Sequence, residues 1–148
     1  MADPEIVDRR AWMAVLARAD AATLAEASAG LLPEYKLIRG PEAGLVMLQG
    51  RAGGSGAAFN VGEASVVRCT VRSAAGYLGH AYCLGRELRQ AELAAALDAG
   101  LQDPALRDRL QERVIAGLAE AQAAARALEA RRAAATQVQF FTMATMRS

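Results

Sequence analysis

Aromatic side chains, histidine, lysine and cysteine are all scarce in this 148-residue chain, and each scarcity closes off a class of function. With three Phe, three Tyr and one Trp, a folded core has to be filled mainly by Leu and Val. His80 is the only histidine, which excludes a histidine-rich metal site and a two-histidine centre. The two cysteines, Cys69 and Cys83, fall in alternating patterns and not at metal-ligand spacing. A hairpin turn near Ala74–Ala75 would set them diagonally on one face, with Cys83 nearer Val67, so no disulfide is expected and the cytoplasm is the default compartment. Charge of one sign is missing too: 17 Lys and Arg against 16 Asp and Glu leave +1, without the basic excess of a nucleic-acid binder. No run approaches the roughly 18 apolar residues of a membrane span. The acidic start Met1-Ala2-Asp3-Pro4-Glu5 has no apolar stretch to serve as a signal peptide.

What is present is alanine and arginine. Residues of hydrophobic type make up 53% of the chain, nearly half of them Ala, the best helix former and a weak core filler. All the basic residues but Lys36 are Arg, a bias compatible with subunit contacts, with anion binding and with a GC-rich genome. Trp12, Val15, Leu16 and Ala19 trace one stripe of an amphipathic helix with Asp8 as its N-cap. A short helix follows over 21–29, capped by Asp20 and stopped by Gly30. The period then changes to two. Tyr35, Leu37 and Arg39 alternate, Gly40-Pro41 signals a turn, and Leu45–Arg51 is apolar on both faces like a central strand. Val67, Cys69 and Val71 alternate with Arg68, Thr70 and Arg72 as in a half-solvated antiparallel strand, and Ser73-Ala74-Ala75-Gly76 turns it onto Tyr77–Leu84. After Gly85 the pattern is helical, restarts at Asp103-Pro104, has a candidate break at Gly117, and returns to strand character over 136–143. The expected fold is a single α+β domain over residues 1–148: an antiparallel sheet of four to five strands with helices on one face or end.

The conspicuous local feature is Arg51-Ala52-Gly53-Gly54-Ser55-Gly56, between two strand-like runs. Clustered glycines mark a backbone that needs positive φ or close approach, and an arginine beside them suits an anion. The loop nevertheless lacks a Gly-Lys-Ser/Thr ending and leads toward a strand, so a shaped hairpin or bulge competes with an anion cradle. His80 reads as a partner-facing or structural histidine, the cysteines as small buried hydrophobes, and Arg86, Glu87, Arg89, Glu92 and Asp98 as a solvated helical face. No catalytic set and no metal site emerge from these residues.

Taken together, Arg10–Ala17, Gly44-Leu45-Val46, Arg51–Gly56, Phe59, Gly62-Glu63, Val71-Arg72, Leu78-Gly79, Gly85-Arg86-Glu87, Ala91-Glu92, Asp98-Ala99 and Val138-Gln139-Phe140-Phe141-Thr142-Met143 resemble the PhnG family. That family is a subunit of the bacterial carbon–phosphorus lyase system for phosphonate use. The resemblance covers nearly the whole chain, with Asp103–Ala135 matching only as helix. Two positions depart from the expected pattern: His80 in place of an aromatic residue, and Glu87 in place of Asp.

The resemblance implies a core complex with PhnI, PhnH and PhnJ, assisted by PhnL, and leaves room for self-association. In that complex an alkylphosphonate displaces adenine from MgATP, giving an alkylphosphonate ester on ribose C1 that carries a 5-triphosphate. It implies further that this chain holds no cofactor of its own. MgATP is a substrate of the complex, and the iron–sulfur cluster, which needs three cysteines, belongs to another subunit. Arg51, Gly53, Gly54, Gly56, Arg72 and Arg86 are the candidates for contact with substrate or partner, and Phe140 and Phe141 for an interface. The rival expectation is an autonomous anion- or nucleotide-binding module built on Arg51 and the Gly53–Gly56 loop.

Overall fold

The computed structural model describes residues 4–137. Helix α1 (Pro4–Leu16) and helix α2 (Ala21–Ala27) lead into strands β1 (Tyr35–Arg51), β2 (Ala58–Ser73) and β3 (Leu78–Leu84). Helix α3 (Leu88–Gln102), helix α4 (Pro104–Leu110), a π-helical turn (Gln111–Ile115) and helix α5 (Ala116–Ala135) complete the described chain. The strands form one antiparallel sheet in the order β1-β2-β3, so the class is α+β with three strands where four to five were expected. No helix among the described residues is long and apolar enough to cross a membrane.

Two of the expected strands are one. β1 runs unbroken through Gly40-Pro41, which makes a bulge in the ladder and not a turn. Gly40 takes φ +69°, and a Cβ there would stand 2.6 Å from the Arg68 carbonyl oxygen, so the close approach requires glycine. Pro41 has no N–H to give, which an edge strand tolerates. β1 is that edge and β2 the centre, correcting the expectation that Leu45–Arg51 is central. Val138, Phe140 and Phe141 of the fifth expected strand lie outside the described residues, and α5 reaches Ala135 with Thr136 as its C-cap.

Local signals set most helix ends. Asp20 caps α2, accepting from Thr23 N at 2.9 Å and Thr23 Oγ1 at 2.8 Å; these bonds hold its carboxyl below the usual range. Asp103 caps α4, with Pro104 in the first helical position. The same proline rule moves the start of α1 from the expected cap at Asp8 to Pro4. Gly117 does not break the last helix; the irregularity is the π turn before it, through which the backbone stays helical.

The core lies between one sheet face and the helices. Val67, Cys69 and Val71 of β2 and Ala81 and Cys83 of β3 point into it, against Leu93, Ala94 and Leu97 of α3, with Trp12, Leu16 and Leu24 packed beyond. Val67 faces Cys83 and Cys69 faces Ala81 across the ladder; both thiols are free. Burial pushes the Cys69 thiol up to about 11 and raises Cys83 as well. α3 is buried nearly all round, as an internal helix must be, and its alanines let it lie close to the sheet. A Cβ on Gly79 would collide with the Ala95 carbonyl and sit 2.8 Å from Ala99 Cβ, so glycine on β3 fixes that approach.

Beyond this body the β1–β2 hairpin continues alone. β3 pairs with β2 only over 66–72, while the β1–β2 ladder runs on to Arg51 opposite Ala58. In this arm Leu45, Met47, Leu48, Phe59 and Val61 are between 44 and 62% exposed. The register places Leu45 and Met47 on one face and Leu48 and Phe59 on the other.

Candidate functional site

The glycine loop is the tip of the arm. Gly53 and Gly54 adopt φ +60° and +78°, and a Cβ on Gly56 would meet the Ala52 carbonyl oxygen at 2.8 Å. Arg51 turns back onto the loop, its Nη1 donating to the Gly56 carbonyl at 3.0 Å. The chain leaves the loop as β2, so no helix N-terminus faces it. Three glycines and one arginine here shape a turn.

The other arginine candidates do not converge on the loop. Arg72 lies 14 residues along β2 from Ala58, roughly 45 Å at strand spacing. Arg86, just after β3, donates from Nε to Ser65 Oγ at 3.1 Å, at the base of the arm. Phe140 and Phe141 lie outside the described residues.

The structure gathers a different set instead. Asp98 of α3 is fully buried, and five donors converge on its carboxylate. Arg9 donates from Nη2 to Oδ2 at 2.7 Å and from Nε to Oδ1 at 3.2 Å. Trp12 Nε1 donates to Oδ1 at 2.8 Å, and the His80 backbone N–H to Oδ2 at 2.9 Å. Gln102 Nε2 completes the set at 3.4 Å and also donates to the Leu78 carbonyl at 2.7 Å. One carboxylate thereby joins α1, α3 and β3. With its lone pairs all engaged and no water-facing edge, it serves as an anchor and not as a general base. Sequence reasoning placed Asp98 on a solvated face; the signal against that was its position inside the apolar run Leu93–Leu101.

Smaller ties hold the same helix. Gln90 Nε2 donates to the Ala19 carbonyl at 2.8 Å and the Ala17 carbonyl at 3.2 Å, just past the end of α1. Tyr35 donates its hydroxyl to Glu92 Oε1 at 2.7 Å, and Arg89 pairs with the same carboxylate at 3.1 Å. Burial, then the Glu92 bond, raises the Tyr35 pKa. Glu92 therefore also leaves the solvated face assigned to it.

On the far side of the sheet, the His80 ring is exposed and lies 3.1 Å from Thr70 Oγ1. Glu42 Oε1 accepts from Arg68 Nε at 2.7 Å and Arg39 Nε at 2.8 Å, and the Arg39 bond, then the Arg68 bond, holds its carboxyl below the usual range. Among the described residues no group of His, Cys, Asp or Glu could hold a metal ion.

Residues 7–146 match the family model for the phosphonate metabolism protein PhnG. The chain belongs to the PhnG family. It is 44% identical over 146 residues to the alpha-D-ribose 1-methylphosphonate 5-triphosphate synthase subunit PhnG of Rhizobium meliloti (strain 1021), covering 95% of this chain and 91% of that protein. The residues that carry the PhnG resemblance fall on both regions of the fold. Trp12, Leu78, Gly79 and Asp98 build the anchor and its surroundings, whereas Gly44–Val46, Arg51–Gly56, Phe59 and Gly62-Glu63 build the arm.

Proposed function

We propose that this PhnG chain is an accessory scaffold subunit of the carbon–phosphorus lyase core complex. In this reading it is required for the synthase reaction, in which an alkylphosphonate displaces adenine from MgATP at ribose C1, and supplies no reacting group itself. Its partners are PhnI, PhnH and PhnJ, with PhnL assisting, in the cytoplasm. MgATP and the iron–sulfur cluster are handled on those other chains. The name of the Rhizobium relative, a synthase subunit, supports the assignment to that complex.

The observation that carries the scaffold role is the arm. A two-stranded ribbon is marginal by itself in water, and this one holds exposed Leu, Met, Phe and Val side chains on both faces. Apolar surface of that kind marks a contact with another protein. A chain built this way is complete only when something clasps the hairpin. The anion-module reading draws no support from the loop geometry, since the chain runs from the loop into β2 and turns no helix N-terminus toward an anion.

The test is co-expression with the other core subunits, using a chain in which residues 44–64 are replaced by a short turn. The isolated variant should fold with an unchanged body, fail to co-purify, and leave the mixture without adenine release. Full assembly and activity with the shortened chain, or adenine release by the purified wild-type chain alone, would overturn the scaffold reading.

A further inference from the structure

The outer face of the sheet, opposite the helices, carries a charge arrangement that the fold leaves uncompensated. β1 contributes Lys36, Arg39 and Glu42 to it, β2 contributes Arg68, Thr70 and Arg72, and β3 contributes His80 flanked by Leu78, Tyr82 and Leu84. Glu42 is bound by both Arg39 and Arg68. Lys36 and Arg72 stand directly opposite each other in the ladder, and neither side chain has a hydrogen bond or ion pair with any described residue. Glu34 lines the same open cavity of about 420 Å³ and pairs with neither. Four cations against the two carboxylates of Glu42 and Glu34 leave the face at +2, and like charges directly across a ladder repel.

Beside this basic stripe runs an apolar one. Leu78, Tyr82 and Leu84 are 38, 54 and 71% exposed. The unbroken alternation of β2 also carries the face with Arg68, Thr70 and Arg72 outward into the arm face with Leu48. Arg and Tyr are the side chains that anchor protein interfaces, and a charge-bearing sheet face wide enough for three strands suits a protein surface.

We propose that this face docks an acidic segment of another lyase subunit: a row of carboxylates that takes up Lys36 and Arg72, bordered by apolar side chains that cover Leu78, Tyr82 and Leu84. The proposal rests on the subunit reading above and adds the chemistry of the contact. Carboxylates opposite Lys36 and Arg72 convert a repulsive cross-strand pair into two charge-assisted contacts, so docking and face are matched in sign.

The experiment measures assembly of the full-length chain with the co-expressed partner subunits over a range of NaCl concentrations. Wild-type affinity should fall as salt rises. Lys36→Glu with Arg72→Glu should weaken assembly at least about tenfold at low salt and flatten the salt dependence, with the melting temperature of the lone chain unchanged. Tyr82→Ala should weaken assembly while keeping the wild-type salt slope. If the wild-type chain assembles and the double variant matches it in affinity and slope, the docking face is wrong while the subunit reading stands. If the wild-type chain does not assemble, both fall. Binding of MgATP to the isolated chain that Lys36→Glu abolishes would also overturn the proposal, assigning the face to polyphosphate.

Discussion

One strand passes through two environments. Along β2, Val67, Cys69, Val71 and Ser73 are buried in alternation, whereas Ala58–Glu63 is exposed throughout, and the backbone pairs with β1 in both stretches. The body half has α3 laid across it, close enough that Gly79 must lack a side chain. The arm half has Leu45, Met47, Leu48, Phe59 and Val61 and no helix to put them against. Strand pairing thus forms the hairpin throughout, but only the helices turn apolar side chains into stability. The body holds the fold, and the arm carries apolar surface that no described element covers.

Removing the body's anchor should have the largest effect. Asp98→Ala leaves the Trp12 indole N–H without its acceptor and the part-buried Arg9 guanidinium without its carboxylate, a loss worth about 3 kcal/mol. Denaturant unfolding should show it, and a change under about 1 kcal/mol would mean that Asp98 does not anchor the fold. Glycines sharpen the contrast next. Gly79→Ala drives a methyl into the α3 backbone and should cost about 1–3 kcal/mol, whereas Gly44→Ala, with nothing within 4 Å, should stay within about 0.5 kcal/mol. Equal effects at the two glycines would erase the distinction between body and arm. Substitution within the arm comes third: Leu45→Ser with Phe59→Ser should leave unfolding of the lone chain within about 0.5 kcal/mol per site while preventing co-purification with the other core subunits. A marked loss of stability would show that the arm packs on its own body.

Features encoded over a few residues were legible in the sequence. The alternation of Val67, Cys69 and Val71, the Asp20 cap and the Asp103-Pro104 restart each depend on near neighbours, and each has the structure those neighbours dictate. What was not legible depends on distant partners. An apolar run such as Leu45–Leu48 reads the same whether it is covered on both sides or on neither, so a central strand and a bare arm share one pattern. Gly40-Pro41 supports a turn or a bulge equally, and the Arg68 carbonyl that decides between them is 28 residues from Gly40. Asp98 reads as a surface acid until Arg9, 89 positions earlier, is brought to it. The facing of Lys36 and Arg72 likewise exists only once the ladder register is known. The glycine loop, by contrast, could be weighed from sequence, because what it lacked for phosphate binding was itself local.

The smallest effect belongs to Glu42, where the body passes into the arm. Its carboxyl bridges Arg39 and Arg68, and hydrogen bonds from those two arginines hold its pKa below the ordinary glutamate value. A depressed carboxylate pKa means that the unfolded chain takes up the proton first as pH falls. The contribution of the bridge is therefore complete above the ordinary glutamate range and is lost as pH drops through the lower folded value. Exposure to solvent keeps it small and sensitive to salt. Glu42→Gln should lower the melting temperature slightly at neutral pH and low salt, and the gap from wild type should close in acid. Because the bridge ties β1 to β2 at the base of the arm, amide exchange over residues 43–47 should quicken in Glu42→Gln while residues 67–71 keep their protection. Faster exchange in both stretches would place Glu42 within the body's own support, and the boundary between the two regions would have to move outward along the hairpin.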